Sequence, residues 1–77
     1  MDLTLFVKNF ASQFDETDPE LISADTDFKD LDEWGSLIAL SIIAMADEEY
    51  NVKLTGKDIQ NSFKVIDLYE IVKNKLK

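Results

Sequence analysis

The stretch DEWGSLIALSIIAMADEEY, Asp32 to Tyr50, places acidic residues on both sides of an uncharged run, Trp34 to Ala46. At about 100° per residue, one arc of a helix through this stretch carries no polar side chain except the Tyr50 hydroxyl, which predicts that the arc faces a core. Its members are Ala39, Ile42, Ile43, Ala46 and Tyr50. The helix is predicted to begin at Ser36, whose hydroxyl can cap it, and to end near Tyr50, because Asn51 tolerates the left-handed conformation that ends helices.

The same helix is apolar outside that arc as well. Leu37, Ile38, Ala44 and Met45 lie among Ser41, Glu48 and Glu49, where a soluble helix normally carries charge. One interpretation is a central helix covered on most sides by its neighbours. We favour a docking face formed by Leu37, Ile38, Ser41, Met45 and Glu48, because apolar patches with an acidic rim are typical of interaction sites. On this view Ile38→Lys leaves the thermal midpoint nearly unchanged, whereas Ile43→Ala costs about 2–5 kcal/mol.

Apolar residues at helical spacing predict two further long helices. The first spans about Leu3 to Phe14, with Leu3, Phe6, Val7, Phe10, Ala11 and Phe14 on one stripe. The last carries Val65, Leu68, Tyr69, Val72 and Leu76, and its end carries Lys73, Lys75 and Lys77, where the helix dipole favours cations. A short helix is predicted within KDIQNSF, Lys57 to Phe63.

The segment from Asp15 to Glu33 lacks periodicity and contains Pro19. Its apolar residues are expected to anchor it to the core, with one helical turn from Phe28 to Leu31. These anchors are Leu21, Ile22, Phe28 and Leu31. The sequence therefore predicts an all-α fold, a small four-helix bundle of three long helices and one short helix, in a single domain 1–77.

The charge of the chain limits its partners. Eight basic and 16 acidic residues give a net charge of −8, which repels phosphate backbones and anionic lipid heads and favours a basic protein partner. We therefore expect no nucleic acid and no membrane partner. The chain has no cysteine, and Asp2 follows Met1 without a basic flank, so we expect a cytoplasmic monomer without a secretory signal.

The residue types argue against catalysis. The chain contains no histidine, cysteine or arginine, and nothing indicates a cleft that would shift the pKa values of its carboxylates. We therefore expect that it is not an enzyme. The segment DTDFKDLDEWGS resembles a calcium loop but has Lys29 at its fifth position, Asp30 where glycine is required and Ser36 in place of the final glutamate, so no metal site is expected.

Ser36 could serve the helix or carry a group. A serine before a helix is most often only a cap. A phosphodiester on this hydroxyl would also lie beside unpaired backbone N–H groups at the positive end of the helix dipole, which favours an anion. The position can therefore hold a phosphate-linked arm without any basic side chain.

The segment DTDFKDLDEWGSLIALSIIAMADEEYNVKLTGKDI, followed by VIDLYEIV, resembles the acyl carrier proteins, whose second helix opens with Asp-Ser-Leu after a Thr-x-Phe-x-x-Leu loop. Thr26, Phe28 and Leu31 match the loop, and Ser36 and Leu37 match the end of the triplet. Further matches are Glu48, Glu49 and Tyr50 at the end of that helix and Asp67 and Leu68 in the fourth. The resemblance implies that Ser36 carries 4′-phosphopantetheine, which a magnesium-dependent phosphopantetheinyl transferase transfers from coenzyme A. The terminal thiol of this arm would then hold an acyl group as a thioester.

This chain departs from the family pattern around Ser36. Gly35 replaces the aspartate that helps the transferase, and the loop before Ser36 is one residue longer and contains Trp34, which we expect to pin the loop to the bundle. Ile38 and Ser41 replace acids that typical fatty-acid carriers present to basic partners. A more apolar docking face indicates a dedicated partner set, such as a specialised or polysaccharide-linked pathway, over general fatty-acid synthesis; lipid, polyketide and polysaccharide-linked biosynthesis are the pathways considered.

Two functions remain open from the sequence. In the first, the chain carries an acyl or aminoacyl group on Ser36 and presents it to partner enzymes, with a loading ligase or synthetase and an acyltransferase or synthase as partners. Ala39 and Ala46 would then leave room for the acyl chain inside the bundle. In the second, the chain is an unmodified interaction module that binds one protein through the same helix face.

Overall fold

The computed structural model describes residues 1–76, so the prediction for Lys77 lies outside the described residues. Within them the chain forms four helices and no named strand: α1 is Leu3–Ala11, α2 is Ser36–Tyr50, α3 is Gly56–Gln60 and α4 is Val65–Lys75. The helix α1 packs against α2 and α4, and α3 packs against α4. The predicted small helical bundle, with three longer helices and one short one, is confirmed. None of the helices in this part of the chain is long and apolar enough to cross a bilayer.

One cluster of buried side chains forms the core, and aromatic rings occupy its centre. Phe6 and Phe10 of α1 are fully buried, as is Phe28 of the long connection. The Phe10 and Phe28 rings meet edge to face, with centroids 5.5 Å apart, an arrangement that aromatic quadrupoles favour. The predicted apolar stripe of α1 is thus the core stripe.

The helix α1 ends at Ala11, three residues before the predicted end. The Ser12 hydroxyl and the Gln13 amide both donate to the Asn9 carbonyl, at 2.7 and 3.1 Å. The backbone N–H groups of Gln13 and Phe14 instead bond to the carbonyls three residues back. These tighter turns still direct the Phe14 side chain into the core, which is why the periodicity extends beyond the helix.

The connection from α1 to α2 is held mainly by Ile22 and Phe28, which are buried, and by the half-buried Leu31. The prediction that Leu21 anchors it is wrong, because Leu21 lies in a 3₁₀ turn, Pro19–Leu21, and is 67% exposed. The predicted turn near Phe28 is a 3₁₀ turn, Phe28–Asp30.

The same connection supports the start of α4. The N–H groups of Val65 and Ile66 donate to the carbonyls of Thr26 and Ala24, at 3.1 and 2.9 Å. These two hydrogen bonds satisfy backbone N–H groups that would have no acceptor within the first turn of a helix. Asp67 completes this end, since its carboxylate accepts from the N–H groups of Phe63 and Lys64, each at 2.9 Å.

The ends of α2 and α3 follow local rules. Asn51 adopts the predicted left-handed conformation, with φ 55° and ψ 41°, and its N–H donates to Asp47 O. The short helix α3 is stabilised by a reciprocal cap between Thr55 and Asp58, whose two hydrogen bonds are 3.1 and 3.0 Å long. This cap explains how a helix of five residues, too short to be stable alone, persists between α2 and α4.

Candidate functional site

The start of α2 is the first part of the candidate site. Ser36 is the first helical residue and is exposed, and Gly35 occupies the cap position. The prediction that Ser36 caps the helix is therefore wrong by one residue: its side chain does not cap, and Gly35 has none with which to do so. The first hydrogen bond of the helix runs from Ala39 N to Gly35 O, at 3.0 Å, which leaves earlier N–H groups without an acceptor inside the helix. An anion attached to Ser36 would meet these groups at the positive end of the dipole.

Gly35 is not required by the backbone. Its φ of −178° is extended backbone that any residue can adopt, and a Cβ built on it would meet nothing within 4 Å. An aspartate fits this position sterically. The glycine therefore reflects neither a tight turn nor a close packing contact.

Trp34 and Phe28 hold the chain just before Ser36. Their rings are edge to face with centroids 4.8 Å apart, and the Phe14 ring lies 6.4 Å from Trp34. The predicted role of Trp34, pinning the loop to the bundle, is confirmed. Because Trp34 is two residues from Ser36, this packing fixes where the helix begins.

Glu33 forms a second restraint on the same segment. Its carboxylate accepts from Asp15 N, Glu16 N and Thr17 Oγ1, at 2.8, 3.0 and 2.7 Å. Partial desolvation raises the pKa of Glu33, but these hydrogen bonds outweigh it and hold the pKa below its ordinary value. No local pattern of the sequence could have revealed these bonds, because their partners lie 16 to 18 residues earlier in the chain.

A groove lies between α2 and α3 and includes Ser36 in its wall. Its volume is about 570 Å³, within the usual range of small-molecule sites. The lining residues are Lys29, Trp34, Gly35, Ser36, Ala39, Leu40, Ile43, Gly56, Ile59 and Gln60. Ala39 lines this groove, whereas Ala46 is fully buried and does not line it.

The exposed face of α2 differs from the predicted one. Leu37, Leu40, Ala44 and Glu48 recur at spacings of three and four and are all exposed, Leu37 by 80% and Leu40 by 62%. We call these four residues the α2 stripe. Leu40 was not expected on the docking face, and it borders the groove as well.

The predicted exposure of Met45 and Ile38 is wrong. Met45 is 4% exposed, and Ile38 is half-buried against the core. Ser41 is also half-buried. The reason is the end of α1 and the turns that follow it, where Asn9, Ser12 and Gln13 line a shared cleft with Ser41 and Met45. Of the predicted docking residues, Leu37 and Glu48 are exposed and could contact a partner.

The predicted core arc is correct in part. Ile42 and Ala46 are fully buried, but Ala39, Ile43 and Tyr50 are only half-buried. Ile43 lines the groove, so truncating it would enlarge an open surface instead of leaving an enclosed cavity. We therefore expect Ile43→Ala to cost about 2 kcal/mol or less.

The described residues contain no group of three or more acidic side chains arranged to hold a metal ion. No family model matches the sequence, and no curated protein or solved structure matches it.

Proposed function

We propose that this protein is a carrier, similar to the acyl carrier proteins in fold and function, that holds an acyl or aminoacyl group on 4′-phosphopantetheine attached to Ser36. The observation that carries the proposal is an exposed hydroxyl at the N-terminus of α2 that also lines an apolar groove. A carrier needs an accessible attachment atom, a favourable place for a phosphodiester and room for cargo. Ser36 combines all three.

The residues around Ser36 fit a phosphopantetheine arm. Gly35 adds no side chain that would obstruct the approach to the hydroxyl, and the free N–H groups at the start of α2 would stabilise the phosphodiester. The arm would supply a thiol for thioester chemistry. Trp34 and Glu33 fix the attachment point, and the groove beside it gives an apolar chain a surface to cover.

The α2 stripe supports presentation to partner enzymes. Two exposed leucines next to the attachment point form an apolar surface, and Glu48 adds negative charge at its far end. A transferase, a loading ligase or synthetase and an acyltransferase or synthase would each have to reach Ser36, and each could use this surface. Catalytic groups would then come from the partners, which agrees with a chain that carries no histidine, cysteine or arginine.

The second candidate function is an unmodified interaction module, and the exposed Leu37 and Leu40 favour it equally. One experiment separates the two. The protein is incubated with coenzyme A, magnesium and a transferase of broad specificity, and its intact mass is measured. The carrier gains one phosphopantetheine, and Ser36→Ala gains none. An unchanged mass in the unmodified sequence would favour the module.

A further inference from the structure

Among residues 1–76, Lys29 is the one charged side chain in the wall of the groove that contains Ser36. The rest of the lining is apolar or uncharged, in a protein whose net charge is −8. An acidic protein thus has a positive charge in the wall of its apolar groove. This charge favours groups that carry a negative charge.

The ammonium of Lys29 has capacity for a further partner. It donates to Gln60 O at 3.1 Å and lies 5.3 Å from the Phe63 ring centroid and 5.8 Å from that of Phe28. These contacts hold the side chain between the 3₁₀ turn at Phe28 and the end of α3, at the edge of the groove that Lys29 and Gln60 both line. An ammonium has three donors, and the Gln60 carbonyl accepts from one of them.

The contacts of Lys29 also leave its charge without a counterion. Within residues 1–76 the ion pairs closer than 4.0 Å are Lys53 with Asp47 and Lys75 with Asp58, and neither includes Lys29. The carbonyl and the rings are neutral. Because Lys29 is half-buried beside apolar walls, an anion in the groove would be screened less by water than one on the open surface.

We propose that Lys29 is the anion-binding residue of this groove, and that it holds a group tethered to Ser36 through a negative charge on that group. The anion is either the phosphodiester next to Ser36 or a carboxylate on the cargo. If the anion belongs to the cargo, a cargo ending in an ammonium is disfavoured, and an acyl group with a carboxylate is favoured over an aminoacyl group. The inference rests on the proposed function in taking Ser36 as the attachment point.

The absence of cysteine from the chain allows a test that needs no transferase. Ser36→Cys provides a single thiol that can be alkylated. Iodoacetate and iodoacetamide give short adducts of nearly equal size, one ending in a carboxylate and the other in a neutral amide. Both end groups lie near the position that the phosphodiester would occupy. Haloacetamides with a medium-length chain ending in a carboxylate, a methyl group or an ammonium place a negative, a neutral or a positive end group where the cargo would lie.

The readout is the thermal midpoint of each adduct, compared within one background. We expect the carboxylate adduct to exceed its neutral counterpart by about 1–5 °C, the effect of a partly exposed ion pair in a domain of this size. The difference should vanish when Lys29→Met is added and persist with Lys29→Arg. Lys57→Met is the matched control, because Lys57 is an exposed lysine of α3 outside the groove.

The two sources of the anion give different results. A difference in the short pair assigns the anion to the phosphodiester position, and a difference confined to the long set assigns it to cargo. Within the long set, an ammonium chain that gains as much as the carboxylate chain excludes the cargo as the source of the anion. If neither the short pair nor the long set shows a difference that depends on Lys29, the proposal is wrong. This failure is distinct from a failure of the carrier function, which the mass measurement with the serine protein reports separately.

Discussion

Gly35 and Ser36 together define the start of α2, and neither side chain caps the helix. Glycine is an acceptable cap residue, but it leaves the first N–H groups to water. An anion attached at this position could therefore bond to these N–H groups.

Replacing Gly35 with aspartate tests this interpretation. The backbone is extended and the space is open, so Gly35→Asp should fold normally and gain a few tenths of a kcal/mol from the new cap. By the resemblance to carrier proteins, it should also raise the rate of modification by a broad transferase. Urea unfolding measures the first effect and a timed mass assay the second. Gly35→Asn, which caps without charge, is the control for the rate.

Leu37 and Ile38 are neighbours with different surroundings. Leu37 is exposed, whereas Ile38 packs against the core. Leu37→Lys should change the free energy of unfolding by less than about 0.5 kcal/mol, and Ile38→Lys should lower it by about 1–3 kcal/mol because a charge enters a half-buried site. Urea unfolding of both variants checks this. Equal effects would show that α2 is rotated relative to this description.

The residues of the candidate site differ in how far the sequence could reveal them. Ser36 could be identified because a helix start is a local pattern of residues. Glu33 could not, since its partners lie 16 to 18 residues earlier in the chain. Lys29 could not be identified for the same reason, because its contact with Gln60 joins residues that are 31 positions apart.

At the scale of elements, the exposed side of α2 depends on its neighbours. The helix was predictable from its length and apolar content, but its arcs are all partly apolar, so the sequence alone could not decide which arc α1 covers. Tight turns after Ala11 place the end of α1 against Ser41 and Met45. That packing moves the exposed surface to the α2 stripe.

The α2 stripe can be tested with the transferase as partner. Leu37→Ala should lower kcat/KM for modification about tenfold if this leucine is a main contact, while leaving stability unchanged. Leu5→Ala, which removes a half-exposed leucine of α1, is the matched control. If Leu5→Ala lowered kcat/KM as much as Leu37→Ala does, the α2 stripe would not be the surface that the transferase contacts.

The start of α4 provides a pH-dependent element. Hydrogen bonds from the N–H groups of Lys64 and Phe63 hold the pKa of Asp67 below its ordinary value. Because the folded-state pKa is the lower one, Asp67 contributes stability that is fully present above about pH 4, the unfolded value, and is lost as pH falls through the folded value.

Asp67→Asn should therefore reduce stability at neutral pH and flatten its decline in acid. Unfolding by urea at a series of pH values measures both effects. Glu70→Gln, an exposed substitution on the same helix, serves as control and should leave the pH profile unchanged. An unaltered acid profile in Asp67→Asn would show that its hydrogen bonds do not persist in solution.

For the whole molecule, the three long helices and their common core follow from apolar periodicity, which is why the small bundle was predictable. The groove was not, because its wall combines the 3₁₀ turn at Phe28, α2 and α3, which only tertiary packing brings together. The net charge of −8 also acts at this scale. It favours encounters with basic surfaces and weakens them as salt is added.

Salt should therefore slow modification of the intact protein. We expect kcat/KM for the transferase to fall as ionic strength rises from low to physiological, mainly through slower association. The same titration with Asp47→Asn and Glu48→Gln together should show a smaller dependence. A rate that does not respond to salt would contradict a basic docking partner.

The most direct measurement locates the added group. Ser12 and Ser23 are exposed like Ser36, but the Ser12 hydroxyl donates to Asn9 O, the Ser23 hydroxyl lies 3.3 Å from Thr26 Oγ1, and neither begins a helix. The protein is incubated with coenzyme A, magnesium and transferase. The intact chain is then fragmented in a mass spectrometer, and the fragment masses identify the modified serine. We predict one phosphopantetheine on Ser36 and none elsewhere. Modification of Ser12 or Ser23, or of no serine at all, would contradict the role assigned to the start of α2.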